Sequence, residues 1–127
     1  MINRHPSHEE VEHLNKLLGF KATGNEQDWA IQFADHSRIS EFLEVYLNSM
    51  ISPAQKIEIM ELIIASFDDL LAYENDNNEL WSMICAAMYK DIHLFKGTLD
   101  YWGCGQNRIE DELFHITKKI RLFEHAL

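Results

Sequence analysis

Apolar residues return along most of this chain with a helical period. Val11, Leu14, Leu17 and Leu18 form a first stripe that stops near Gly19. Ile39, Phe42, Leu43, Tyr46 and Leu47 form a second. From Pro53 to about Tyr73, Ile57, Met60, Ile64, Phe67 and Leu71 repeat at the same spacing and predict a long helix. Leu80, Trp81, Ile84, Cys85 and Met88 predict the next. Ile92, Phe95, Leu99 and Trp102 predict a fifth, ending before Gly103. Ile109, Leu113, Ile116, Ile120, Phe123 and Leu127 predict one continuous last helix. Between the first two stripes the period changes. Trp29, Ile31 and Phe33 alternate with Ala30 and Gln32, and with Phe20 to Thr23 and the Gly24-Asn25 pair they suggest a small β-hairpin packed on the helices.

Capping chemistry marks the starts. Ser7-x-x-Glu10, Ser52-x-x-Gln55, Asp76-x-x-Glu79 and Asn107-x-x-Glu110 each place a side-chain acceptor three residues before Glu or Gln, the spacing of a capping box. Pro53 stands at a first helical position, where its missing N–H removes no bond. The pattern predicts a mainly α fold: one domain over residues 1–127, an irregular bundle of about six helices with the small N-terminal hairpin. Its 127 residues suffice for one core without staples. No linker, low-complexity tract or 20–50-residue repeat divides it.

Composition narrows the functional classes. Eleven Lys and Arg against 21 Asp and Glu give a formal charge of −10, which argues against a phosphate-backbone binder and fits a basic partner or solubility. The start of the chain has no apolar signal-like run, no stretch is apolar enough to span a membrane, and the two cysteines, Cys85 and Cys104, form no C-x-x-C site. These features predict a cytoplasmic, reduced protein.

Three patterns invite a chemical reading. His8 and His13 flank a run of acids, but five residues on a helix set them about 140° apart, unlike a zinc-binding pair on one face. Exposed polar positions are the simpler reading. His93 and His115, beside apolar positions, read as partly buried. Cys104, between Gly103 and Gly105, has the look of a nucleophile loop, yet those glycines serve equally to end one helix and turn into the next. The reading is therefore of a protein without catalytic residues, cofactor or metal.

The acid is unevenly placed. Seven acids and no Lys or Arg lie between Ile57 and Tyr89, whereas Lys118, Lys119 and Arg121 cluster near the end. On the long helix, Glu58, Glu61, Asp68 and Asp69 share an arc of about 100° with Ala54, Ala65 and Ala72, which suits close approach by a basic partner. Tyr73, Glu74, Asp76 and Glu79 continue past its end, and Tyr101 and Trp102 after Asp100 add candidate aromatic anchors. The simpler alternatives are a solvated acidic face and a core role for Trp102, which continues the Ile92, Phe95, Leu99 stripe.

Ile59 to Leu71, then Glu79-Leu80-Trp81, Asp100-Tyr101-Trp102 and Phe114 to Arg121, in a small acidic helical chain, give residues 39–127 a layout that resembles immunity proteins of bacterial contact-dependent growth inhibition and related polymorphic toxin systems. The resemblance implies a cytoplasmic, non-catalytic protein that binds one cognate toxin domain. It implies a basic nuclease as target, with an EndoU-like ribonuclease as the specific expectation, its cleft blocked by acid. No family residue transfers by position; the nine candidates Glu58, Glu61, Asp68, Asp69, Tyr73, Glu74, Asp76, Tyr101 and Trp102 come from the physical pattern. Two rivals stand beside this reading: an adaptor or subunit of a larger complex, and a small metal-dependent hydrolase using the N-terminal His/Glu cluster.

Overall fold

The computed structural model describes residues 6–23, 26, 28–105 and 107–127. Seven α-helices occur among them: α1 (His8–Leu18), α2 (Trp29–Gln32), α3 (Ile39–Asn48), α4 (Pro53–Ala72), α5 (Asn78–Lys90), α6 (Lys96–Trp102) and α7 (Thr117–Ala126). Single 3-10 turns cover His36–Arg38, Ile92–Leu94 and Glu110–Glu112.

The long helix α4 is the axis of the fold. Ile59, Met60, Leu62, Ile63, Ile64 and Phe67 are all fully buried, so apolar side chains leave it in nearly every direction. A helix buried all round needs neighbours on several sides, and α1, α2 and α3 pack against it. Phe42, Leu43 and Tyr46 of α3, Leu14 and Leu18 of α1, Ile84 and Met88 of α5 and Phe95, Leu99 and Trp102 around α6 complete one core with Ile116 and Ile120.

The starts of α1 and α4 are joined. Each has its own capping box: the Ser7 hydroxyl accepts from the Glu10 amide while Glu10 accepts from the Ser7 amide, and Ser52 and Gln55 repeat the arrangement. The Ser52 hydroxyl also donates to the second Glu10 oxygen. Gln55 Nε2 donates to the Glu10 carbonyl at 3.1 Å and lies 3.1 Å from His13 Nδ1. Gln55 is buried because this network satisfies it. Ser66 is buried for a similar reason: its hydroxyl accepts from the Asp35 amide at 3.0 Å.

Four expectations are corrected. There is no hairpin: among the described residues no strand occurs, Phe20 to Thr23 is irregular and Trp29–Gln32 is helical. Gly24 and Asn25, the expected turn, lie outside the described residues. Trp29 and Phe33 are also an i, i+4 pair, and their rings meet Phe20, Phe33 stacking on it at 4.6 Å. Ile31, which a strand would turn to the same side, points outward at 47% exposure. The expected fifth helix breaks into the Ile92–Leu94 turn and α6.

The last helix starts eight residues later than its pattern suggested. Asn107 does not cap it; its Oδ1 accepts from the Ile109 amide and its Nδ2 donates to Glu112, closing a local turn. The chain is then extended at Leu113, and α7 begins at Thr117. At α5 the cap is Asn77, whose side chain accepts from the Leu80 amide, and Asp76 instead accepts from the Asn77 amide.

Candidate partner-binding surface

The acidic arc of α4 divides into three environments. Near its start, Glu58 is partly buried, with no hydrogen bond to its side chain among the described residues. Burial, reinforced by the neighbouring Glu61 carboxylate, raises its pKa to about 7. Glu61 accepts a 3.1 Å hydrogen bond from the Thr98 hydroxyl, which is buried on α6. Ala54 and Ala65, read as leaving room for a partner, are covered by the protein's own helices.

Asp68 faces inward as well. Its Oδ1 accepts the Ile116 amide at 2.9 Å. Ile116 is the residue just before α7 and has no capping side chain of its own, so a carboxylate from 48 positions away does that work. Burial raises the Asp68 pKa, while this amide opposes the shift.

The far end of α4 is different. Asp69, partly exposed, binds His36 Nδ1 at 3.0 Å. Tyr73 lies over the His36 ring at 4.9 Å yet is 64% exposed. The helix ends there, and Glu74 takes φ 59, a left-handed conformation uncommon outside glycine that reverses the chain. From Ala72 through Glu79 every residue is exposed. Glu74 and Glu79 point to solvent, and Asp76 shares its charge with Lys119 at 3.2 Å. Asp69, Tyr73, Glu74, Asp76 and Glu79 therefore form one acidic corner between α4 and α5.

The two aromatic candidates part company. Tyr101 is half-exposed, its hydroxyl pKa raised by burial and by the Asp28 and Glu61 charges. Trp102 is 2% exposed and packs on Phe114 at 4.5 Å. Its indole Nε1 is buried without a hydrogen-bond partner among the described residues. Continuing an apolar stripe was the signal that separated it from its neighbour.

The other chemistry-bearing residues are dispersed. His8 pairs with Glu12 at 3.4 Å on the surface, and His13 belongs to the Gln55 network. Among the described residues no group of three His, Cys, Asp or Glu is placed to hold a metal ion. His93 and His115 are exposed, contrary to their expected partial burial, because each falls beside the buried stripe and not within it. Burial raises the Cys85 thiol to about 11, with Lys119 opposing the shift. Cys104 Sγ lies 3.5 Å from Thr117 Oγ1, and its residue takes φ 57 in the turn. No helix among the described residues is long and apolar enough to cross a membrane.

No family model, curated protein or solved structure matches the chain.

Proposed function

We propose that this chain is a binding protein that engages a basic partner domain through the acidic corner between α4 and α5. The observation that supports this is the exposed run from Tyr73 to Glu79, in which a Tyr whose ring meets His36 is followed by two carboxylates, Glu74 and Glu79, without an ion pair among the described residues. An aromatic ring fixed by its neighbours loses little freedom on binding, and acid around it steers a basic surface. Together with the resemblance in layout, this supports an immunity protein that neutralises a cognate toxin domain. The target is a nuclease, with an EndoU-like ribonuclease as the first to test, and the inhibitor covers the cleft that the nucleic acid otherwise enters.

The test is a pull-down of the tagged protein against a panel of toxin nucleases, followed by a nuclease assay. Stoichiometric capture with loss of nuclease activity is expected. Reversing Glu74 and Glu79 to Lys is expected to slow association and to weaken its dependence on salt without unfolding the chain. Unchanged affinity in that double variant removes the acidic-corner interface. Recovery of a stable housekeeping complex in place of a toxin favours the adaptor reading.

A further inference from the structure

The basic residues of the last helix are not all spent on the acidic corner. Lys118 pairs with Glu110 at 3.0 Å and Lys119 with Asp76. Arg121 pairs with no carboxylate among the described residues. Its Nε donates to the Gly103 carbonyl at 2.9 Å and its Nη2 to the Asn107 carbonyl. Two bonds to separate carbonyls fix the plane of the guanidinium and leave Nη1 without a protein acceptor among the described residues. Arg121 forms one wall of a cleft of about 450 Å³. Arg108, exposed and without an ion pair among the described residues, lines the same cleft, with His125 and Glu124 at its edge. Two of the chain's four arginines thus converge on one concavity. Arg38, by contrast, is bound to Glu41 and the Leu18 carbonyl.

We propose that this cleft binds a carboxylate, held between Arg121 and Arg108. A planar guanidinium already held by two carbonyls presents its remaining N–H groups in a fixed direction, which suits the two coplanar oxygens of a carboxylate. The overall charge of −10 does not prevent this, because at physiological salt charges beyond about 8 Å are largely screened. Glu124 sets the charge limit. With two guanidiniums and one carboxylate on its walls, the cleft favours a single negative charge over a dianionic phosphate, and Glu124 is placed to accept from a donor on the ligand. The carboxylate can belong to a free small molecule or to the C-terminus of a peptide.

The experiment is an NMR titration of the full chain with acetate, with an N-acetylated dipeptide bearing a free C-terminus, and with inorganic phosphate, at constant ionic strength. The amides of Gly103, Gly105 and Asn107 are the reporters. Expected is saturable movement with acetate or the dipeptide, the tighter of the two naming the source. Arg108→Gln, at an exposed position with no side-chain hydrogen bond or ion pair among the described residues, is expected to weaken that binding about tenfold. His125→Gln checks that the loss follows the cleft's charge and not its shape, and is expected to weaken binding less. Failure of both carboxylates to saturate, tighter binding of phosphate, or binding untouched by Arg108→Gln overturns the assignment.

Discussion

Replacing Glu58 by Gln is expected to stabilise the protein at neutral and higher pH and to leave it nearly unchanged in acid. The side chain is partly buried, receives no hydrogen bond among the described residues and lies one turn from Glu61. Both burial and the second carboxylate oppose its ionisation, so its pKa rises from 4.5 to about 7 on folding. The folded state therefore holds this proton more tightly than the unfolded chain. The stability it contributes is fully present below pH 4.5 and is lost as pH rises through 7. A shift of that size corresponds to about 3 kcal/mol at 1.36 kcal/mol per unit. Solvent screening at a partly buried position makes this an upper bound. Gln keeps the shape and removes the charge, so urea midpoints of the two proteins should coincide near pH 4 and separate progressively toward pH 8, with the variant the more stable. The other carboxylates are common to both and largely cancel in the difference. Equal separation at every pH, or a variant less stable at pH 8, refutes the reasoning.

Three further outcomes follow from the packing. Asp68→Ala leaves the buried Ile116 amide without its acceptor and should cost about 1–3 kcal/mol, whereas Asp68→Asn retains an acceptor oxygen and should cost less; equal losses in urea denaturation contradict the capping role. In Gly103→Ala the new Cβ falls 2.7 Å from the Leu99 carbonyl oxygen and 2.8 Å from Glu124 Oε1, so a loss of about 1–3 kcal/mol is expected by thermal melting. Because the nearer of these atoms is backbone, shortening Glu124 should restore only part of it. Gln55 spends its oxygen on the Ser52 amide and turns its NH2 to His13, so His13 Nδ1 must accept and the neutral ring must carry its proton on Nε2. Nitrogen-15 NMR of the ring reads this directly, and a proton on Nδ1 refutes the network.

The helices were legible at α1 and α4, where a local cap and an apolar stripe agree. Ser7 and Ser52 begin α1 and α4 as their spacing predicts, and Gly19 ends α1 in the left-handed conformation, φ 73. The reading failed where a distant group decides. Nothing near residue 116 announces that Asp68 caps α7, and the stripe from Ile109 runs without a break through a turn that Asn107 closes on itself. Trp29 to Phe33 satisfies a period of two and an i, i+4 pair equally well, and only the aromatic cluster with Phe20 chooses between them. The acidic arc of α4 follows from spacing alone, because angular position is a local property of the helix. What lies over that side is a tertiary property. Thr98 and Ile116 come from later in the chain, and they turn Glu61 and Asp68 toward the interior while Tyr73 and Glu74 stay outside.

The junction of α1 with α4 has a consequence for how this chain can diverge. Two helix N-termini meet there, so two like partial charges of about +0.5 face each other, and the Glu10 carboxylate is the counter-ion to both. A substitution at Glu10 therefore disturbs two helices whose starts are more than 40 residues apart. Ser52 loses part of its purpose at the same moment, whereas Gln55 keeps its bond to the backbone carbonyl of residue 10. Descendants of this chain should keep Glu10 and Ser52 together or exchange them together, and a pairwise signal between the starts of the first helix and the fourth should outlast the rest of the surface sequence.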